Sequence, residues 1–203
     1  MKNNFLIIDG TVGVGKSTLA KKIGEKMNVK VFEELANQDT ITLLERFYPD
    51  QKRWSFTLQI HFLNERFKMI KDIQKNNGGI LDRSIFGDRI FAELLNEDGM
   101  MSDEEYRTYS SLLDSMLEHV LPPTILIYID CEVDTAIERI EKRHREMELE
   151  VPRLYWERLN EKYKKWYDSY NVSTKICIDA KSYDPNSEED IDLIVDLIKS
   201  KIS

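Results

Sequence analysis

The stretch Phe5-Leu6-Ile7-Ile8-Asp9, followed by Gly10-Thr11-Val12-Gly13-Val14-Gly15-Lys16-Ser17-Thr18, constrains the fold more than any other part of the chain. Four consecutive apolar residues read as a short strand buried on both faces. Gly10 to Ser17 follow the spacing G-x-x-x-x-G-K-S, and Leu19, Ala20, Ile23 and Met27 then recur at helical spacing. Strand, glycine loop and helix in that order make a phosphate cradle. Small residues let backbone N–H groups turn inward, and the helix N-terminus adds partial positive charge. The loop residues Gly10, Thr11, Val12, Gly13, Val14 and Gly15, with Lys16, Ser17 and Thr18, are therefore the candidate site for a nucleoside triphosphate. Lys16 reaches the outer phosphates and Ser17 offers its hydroxyl to Mg²⁺. The competing reading is a glycine turn with no ligand. The strand before the loop and the helix after it argue against that.

At 203 residues the chain is expected to form one domain, residues 1–203, with a proper core. No apolar run approaches the length of a membrane span, and the N-terminus lacks a signal peptide's apolar core, so a cytoplasmic protein with no membrane partner is expected. Cys131 and Cys177 lack metal-ligand spacing and read as reduced core residues rather than as a disulfide. The net charge of −8 argues against a nucleic-acid partner and leaves any small anion to local basic residues.

Further strands are predicted at 29–32, 80–81, 124–129 and 175–178. Helices are predicted at 40–47, 52–73, 85–95, 103–120, 134–142, 152–170 and 188–202, with a charged, irregular segment at 143–151. On the long helix Trp54, Leu58, Phe62, Met69 and Ile73 form the expected apolar stripe. Strands alternating with helices imply an α/β fold: a five-stranded parallel sheet flanked by helices. Ligands gather outside the carboxyl ends of such strands. The first strand delivers the glycine loop there, the second Glu33, and the third Asp82 and Arg83.

The rest of the chain narrows the chemistry. No guanine-reading N-K-x-D occurs. After the second strand stands Glu33-Glu34-Leu35, without an arginine. A hydroxyl acceptor benefits from a carboxylate that takes its proton, whereas a phosphate acceptor wants arginines to clamp it. The chain therefore reads as a phosphotransferase acting on a hydroxyl. Asp82 is placed to order the waters around Mg²⁺, Arg83 to steady the transferring group, and Asp88 to face the same cavity. Ser55, Gln59, Phe62 and Arg66 share one face of the long helix, and the Gln59 amide suits the edge of adenine or cytosine. Lys142-Arg143-His144-Arg145 falls where a closing lid would lie.

These residues resemble the deoxyribonucleoside kinase family, the deoxycytidine, deoxyguanosine and deoxyadenosine kinases. The similarity covers nearly the whole chain and rests on GTVGVGKST, the Glu of VFEEL, RWSFTLQ, DRSIFGD, RHREMELE and YWERL. Among its members the chain looks most like the bacterial deoxyadenosine kinases. The resemblance implies a P-loop kinase fold with a short lid at about 143–151, and ATP-dependent 5′-phosphorylation of a deoxynucleoside in salvage, deoxyadenosine first. Deoxyguanosine and deoxycytidine remain alternatives on the residues alone. It also implies ATP and Mg²⁺ as cofactors, a homodimer, and inhibition by an end-product triphosphate. Residue by residue, it makes Glu33 the base on the 5′-hydroxyl, Arg83 its neighbour, and Asp82 the acid near Mg²⁺. Gln59 and Asp88 would read the base, supported by Arg66, with Phe62 and Phe91 beside it. Tyr48 and Glu148 would hold the 3′-hydroxyl, and Arg143 and Arg145 the ATP phosphates. The lid departs from the usual Arg-Gly-Arg by carrying His144. A thymidylate kinase and a non-catalytic ATP sensor are the readings set against this one.

Overall fold

The computed structural model describes residues 4–35, 37–76, 78–143 and 146–202. The N-terminal apolar run becomes the central strand, β1 (Asn4–Asp9). It pairs in parallel with β3 (Gly78–Asp82) on one side, with Ile8 opposite Asp82, and with β4 (Ile125–Asp130) on the other. β2 (Val31–Phe32) extends the sheet beyond β3, and β5 (Thr174–Asp179) extends it beyond β4. The order is β2-β3-β1-β4-β5, all parallel. Every carboxyl end therefore opens on one edge, as the sequence predicts.

Strand alternation divides the core into two layers. Leu6 and Ile8 of β1 pack with Leu19 and Ile23 of α1 (Lys16–Met27) and with Ile191 and Ile198 of α9 (Glu188–Ile202). Phe5 and Ile7 face the other layer, which holds Leu63 and Ile70 of α3 (Gln51–Lys75) and Leu113 of α5 (Asp103–Leu117). The same layer takes in Phe47 of α2 (Gln38–Phe47) and Ala92 and Leu95 of α4 (Arg89–Glu97). α6 (Val133–Lys142), α7 (Glu146–Leu149) and α8 (Arg153–Ser169) follow β4. Among the described residues no helix is long and apolar enough to cross a membrane.

Four local expectations change. β2 begins at Val31 rather than Val29, because α1 ends on Asn28 in the left-handed region (φ 53°) and the Val29 N–H caps it at the Gly24 carbonyl, 2.9 Å away. The helix predicted at 85–95 is divided. The Ser84 hydroxyl accepts the Phe86 N–H at 2.9 Å and sets a single 3₁₀ turn, Ile85–Gly87, before α4 starts. The segment 143–151 is not irregular throughout, since Glu146–Leu149 forms the one-turn helix α7. On α3 the buried face is Ser55, Leu58, Gln59, Leu63, Arg66, Ile70 and Ile73, while Trp54, Phe62 and Met69 are only half-buried. Three polar residues on a buried helix face need polar partners. That requirement locates the site.

Candidate active site

The glycine loop closes over the end of β1. Gly13 takes φ +83°, and a Cβ there would lie 2.4 Å from the Ala136 carbonyl oxygen, so no side chain fits. Lys16 is buried, and its Nζ donates to the carbonyls of Gly10 (2.9 Å) and Thr11 (2.6 Å). Burial, reinforced by the Arg83 charge, pushes the Lys16 ammonium down to about 8. The Ser17 hydroxyl donates to Asp82 Oδ2 at 2.5 Å, while the buried Asp82 Oδ1 has no hydrogen-bond partner. A hydroxyl beside a buried, half-satisfied carboxylate fits a hard cation that takes its other oxygens from phosphate and water. No set of three or more His, Cys, Asp or Glu side chains among the described residues could hold a metal by itself.

In front of the loop lies a cavity of about 600 Å³. Val12 through Thr18 line one end. Tyr48, Gln59, Phe62, Arg66 and Phe91 line the other, with Glu33, Asp82 and Arg83 also on its wall. Arg143 and Glu148 form an ion pair that also borders it, so the two lid positions within the described residues reach the cavity. His144 and Arg145 lie outside the described residues. Gly10 and Thr11 lie behind the cavity wall, where Thr11 is buried and Gly10 takes φ +144°. Gln59 is 7 % exposed and its amide makes no hydrogen bond among the described residues.

Two sequence expectations are corrected here. The carboxylate beside Arg83 is Glu34, not Glu33. Arg83 Nε stands 2.7 Å from Glu34 Oε1, and Arg66 pairs with the same oxygen. Burial alone would raise the Glu34 carboxyl, but Arg83, Arg66 and Lys16 outweigh it and hold it down at about 2. Glu33 sits at the rim, 43 % exposed, paired at 2.8 Å with Lys21. The chain leaves the strand register after Phe32 and turns at Glu34, so the pleat no longer decides which of the two points inward. Asp88 does not face the cavity. It is buried and held by Arg66, with its Oδ2 unpartnered. Arg66 stands at the wall and Asp88 behind it.

Four positions around the cavity, Tyr163, Arg139, Tyr183 and Tyr155, were not singled out from sequence. Arg83 takes φ +77°, and its NH1 donates to the Tyr163 hydroxyl at 2.7 Å, a contact that α8 brings from 80 residues away. Arg139 NH1 donates to the Val14 carbonyl at 2.8 Å, beside Tyr183 at the loop. Arg139 lies one helical turn before Arg143, a spacing that could have marked it. Tyr155 also lines the cavity.

The geometry agrees with three comparisons. A family model described as deoxynucleoside kinase matches residues 6–203. The chain is 42 % identical over 206 residues to the deoxyadenosine/deoxycytidine kinase of Bacillus subtilis (strain 168), covering 99 % of this chain and 94 % of that protein. It is 35 % identical to a deoxyguanosine kinase of Lactobacillus acidophilus, covering 97 % and 90 %. A solved deoxyadenosine kinase from M. mycoides, with products dCMP and a flexible dCDP bound, superposes with a TM-score of 0.85 at 31 % identity, over 96 % of this chain and 98 % of that one.

Proposed function

The chain belongs to the deoxynucleoside kinase family, and on that premise we propose that it transfers the γ-phosphoryl group of ATP to the 5′-hydroxyl of a purine deoxynucleoside, deoxyadenosine first. The observation that carries this is the pair Glu34–Arg83 on the wall of the cavity that Lys16 and the glycine loop also line. A carboxylate and an arginine there suit a hydroxyl acceptor. The thymidylate kinase and the sensor give way to it.

In this reading the loop amides and Lys16 hold the β- and γ-phosphates. Ser17 and Asp82 would hold Mg²⁺, which would supply neutralising charge to the phosphates. Glu34 takes the role first expected of Glu33. It accepts the 5′-hydroxyl hydrogen bond and receives the proton late, as fits a loose transition state that asks little of the nucleophile. Arg83 and Arg143 stabilise charge on the migrating group, with Arg145 as a further donor. Gln59, Arg66 and the faces of Phe62 and Phe91 receive the nucleobase, with Asp88 backing Arg66. Tyr48 and Glu148 receive the 3′-hydroxyl. The homodimer, cytoplasmic location, salvage role and triphosphate inhibition belong to the same proposal. Half-buried Phe56 and Phe67 on α3 and Leu112 on α5 are apolar surface for such a dimer.

The test is steady-state phosphorylation of the four deoxynucleosides with Mg-ATP, followed by two substitutions. Glu34→Gln lowers kcat by about 10²–10⁴-fold, the share of a positioned base, while Glu33→Gln changes it by less than about threefold. Full turnover by Glu34→Gln sinks the assignment. A lead for deoxycytidine or deoxyguanosine keeps the mechanism and overturns the purine or adenine preference.

A further inference from the structure

Asp9 is a buried carboxylate that the mechanism above does not use. It ends β1, is 0 % exposed, and lies outside the cavity lining. Its Oδ1 accepts the N–H of Gly10, the first loop residue, at 2.8 Å. Its Oδ2 accepts the N–H of Ser84, the residue after Arg83, at 2.9 Å. One carboxylate thus fastens the backbone turn that opens the phosphate loop to the turn that carries Arg83. The turn at Arg83 needs such a fastener, because a left-handed arginine is held only where the surroundings over-determine it. The preceding N–H, that of Arg83 itself, is bonded to the Ile8 carbonyl at 2.9 Å, so two successive donors of this turn end on β1. Gly87 completes the enclosure. A Cβ there would lie 3.2 Å from Asp9 Oδ2 and 3.4 Å from the Trp166 ring.

We propose that Asp9 is a positioning residue for phosphoryl transfer, setting the distance between the phosphate loop and Arg83 through both oxygens of one ionised carboxylate. Both oxygens accept, which the ionised form does most strongly, with two equivalent acceptors for two N–H donors. An amide turns one acceptor into a donor facing a donor, and protonation weakens one of the two acceptors. The charge also acts on Lys16 and Arg83, two cations of the site. The titratable groups that face it are Lys16 and Arg83, with the Tyr128, Tyr163 and Tyr170 hydroxyls from the neighbouring strand and helix. Burial raises the Asp9 carboxyl to about 6, against the pull of Arg83 and Lys16.

The inference rests on the phosphotransfer reading. Its test is the single-turnover rate and the nucleoside KM of Asp9→Asn on the full chain, from pH 5 to 8. The expected result is a rate at pH 7.5 lowered about 30-fold or more, comparable to losing a preorganised contact, with nucleoside KM within about threefold. The wild-type rate declines below about pH 6 and that acid limb is absent from the variant. A rate within about threefold of wild type, or equal loss of rate and of nucleoside affinity, overturns the proposal. Should Asp9→Asn not fold, Gly87→Ala presses on the carboxylate without changing charge, and its acid limb is displaced by about half a pH unit or more. A flat wild-type profile, or an undisplaced limb in Gly87→Ala, overturns it equally. Failure of the base assignment appears separately, as an active Glu34→Gln, and leaves the Asp9 result readable.

Discussion

In the proposed function the two ends of the cavity recognise their ligands by different means. At the phosphate end the proposed recognising groups belong to one continuous loop, its backbone N–H donors together with the Lys16 and Ser17 side chains that follow them. At the nucleoside end the backbone contributes little. There the wall is Arg66 from α3, Arg83 from the end of β3, Glu34 after β2 and Phe91 from α4. A phosphate looks much the same from many directions, so a curled backbone suffices for it. A nucleoside presents distinct edges, so its site needs distinct side chains from several elements. The cost falls on stability, since the nucleoside end gathers four buried or nearly buried charges, Glu34, Arg66, Arg83 and Asp88, that persist only as a mutually paired set.

The sharpest way to break this comparison is to take one member from that set. Arg66→Met leaves Glu34 and Asp88 short of their shared cation, and the expected loss of unfolding free energy is about 3–5 kcal/mol. Urea unfolding measures it, and a loss under about 1 kcal/mol would mean the nucleoside end is not held by its charges. Next comes the backbone cradle. Gly13→Ala forces a Cβ against the Ala136 carbonyl, and kcat/KM for ATP falls about 10²–10³-fold while nucleoside binding is retained. Equal loss at both ends would show that the two are not independent.

A pH titration sharpens the phosphate end. The buried Lys16 has its folded-state value lowered to about 8, so the free protein loses this proton as pH rises through 8. The bound triphosphate favours the ammonium, so ATP dissociation constants weaken by about tenfold per pH unit above 8. Calorimetry checks this, and Lys16→Met binds weakly with a flatter profile. The same shift acts on stability in the reverse sense. Between about 8 and 10.5 the unfolded chain carries the extra proton, so this group's contribution to stability rises with pH. The smallest effect belongs to surface charge. Arg158 pairs with Glu97 at 2.9 Å and with Asp98 in partly exposed positions, and Arg158→Ala costs under about 1 kcal/mol.

The division between the two ends is also the division between what could be read in advance and what could not. The phosphate loop is a contiguous string whose geometry follows from its own glycines. The long helix likewise declared its inward polar face, since Ser55, Gln59 and Arg66 are all buried. Choosing between Glu33 and Glu34 was beyond the sequence, because the strand ends at Phe32 and a turn replaces the two-residue alternation. Tyr163 carried no local signal, since its partner Arg83 is 80 residues distant. Asp88 was expected at the cavity because it lies near the start of a helix after β3. Its retreat behind Arg66 depends on the guanidinium reaching it from another helix.

The sequence by itself determined a strand, a glycine loop and a helix at the N-terminus, the alternation that makes the sheet parallel, and the edge where ligands gather. These follow from short-range sterics and hydrophobic period, which act within a few residues. The tertiary structure alone decided which glutamate meets Arg83, what lies behind Arg66, and that Asp9 joins the Gly10 and Ser84 turns. Each of those outcomes depends on distances between elements far apart in the chain, and the packing of α3, α4 and α8 against the sheet sets those distances.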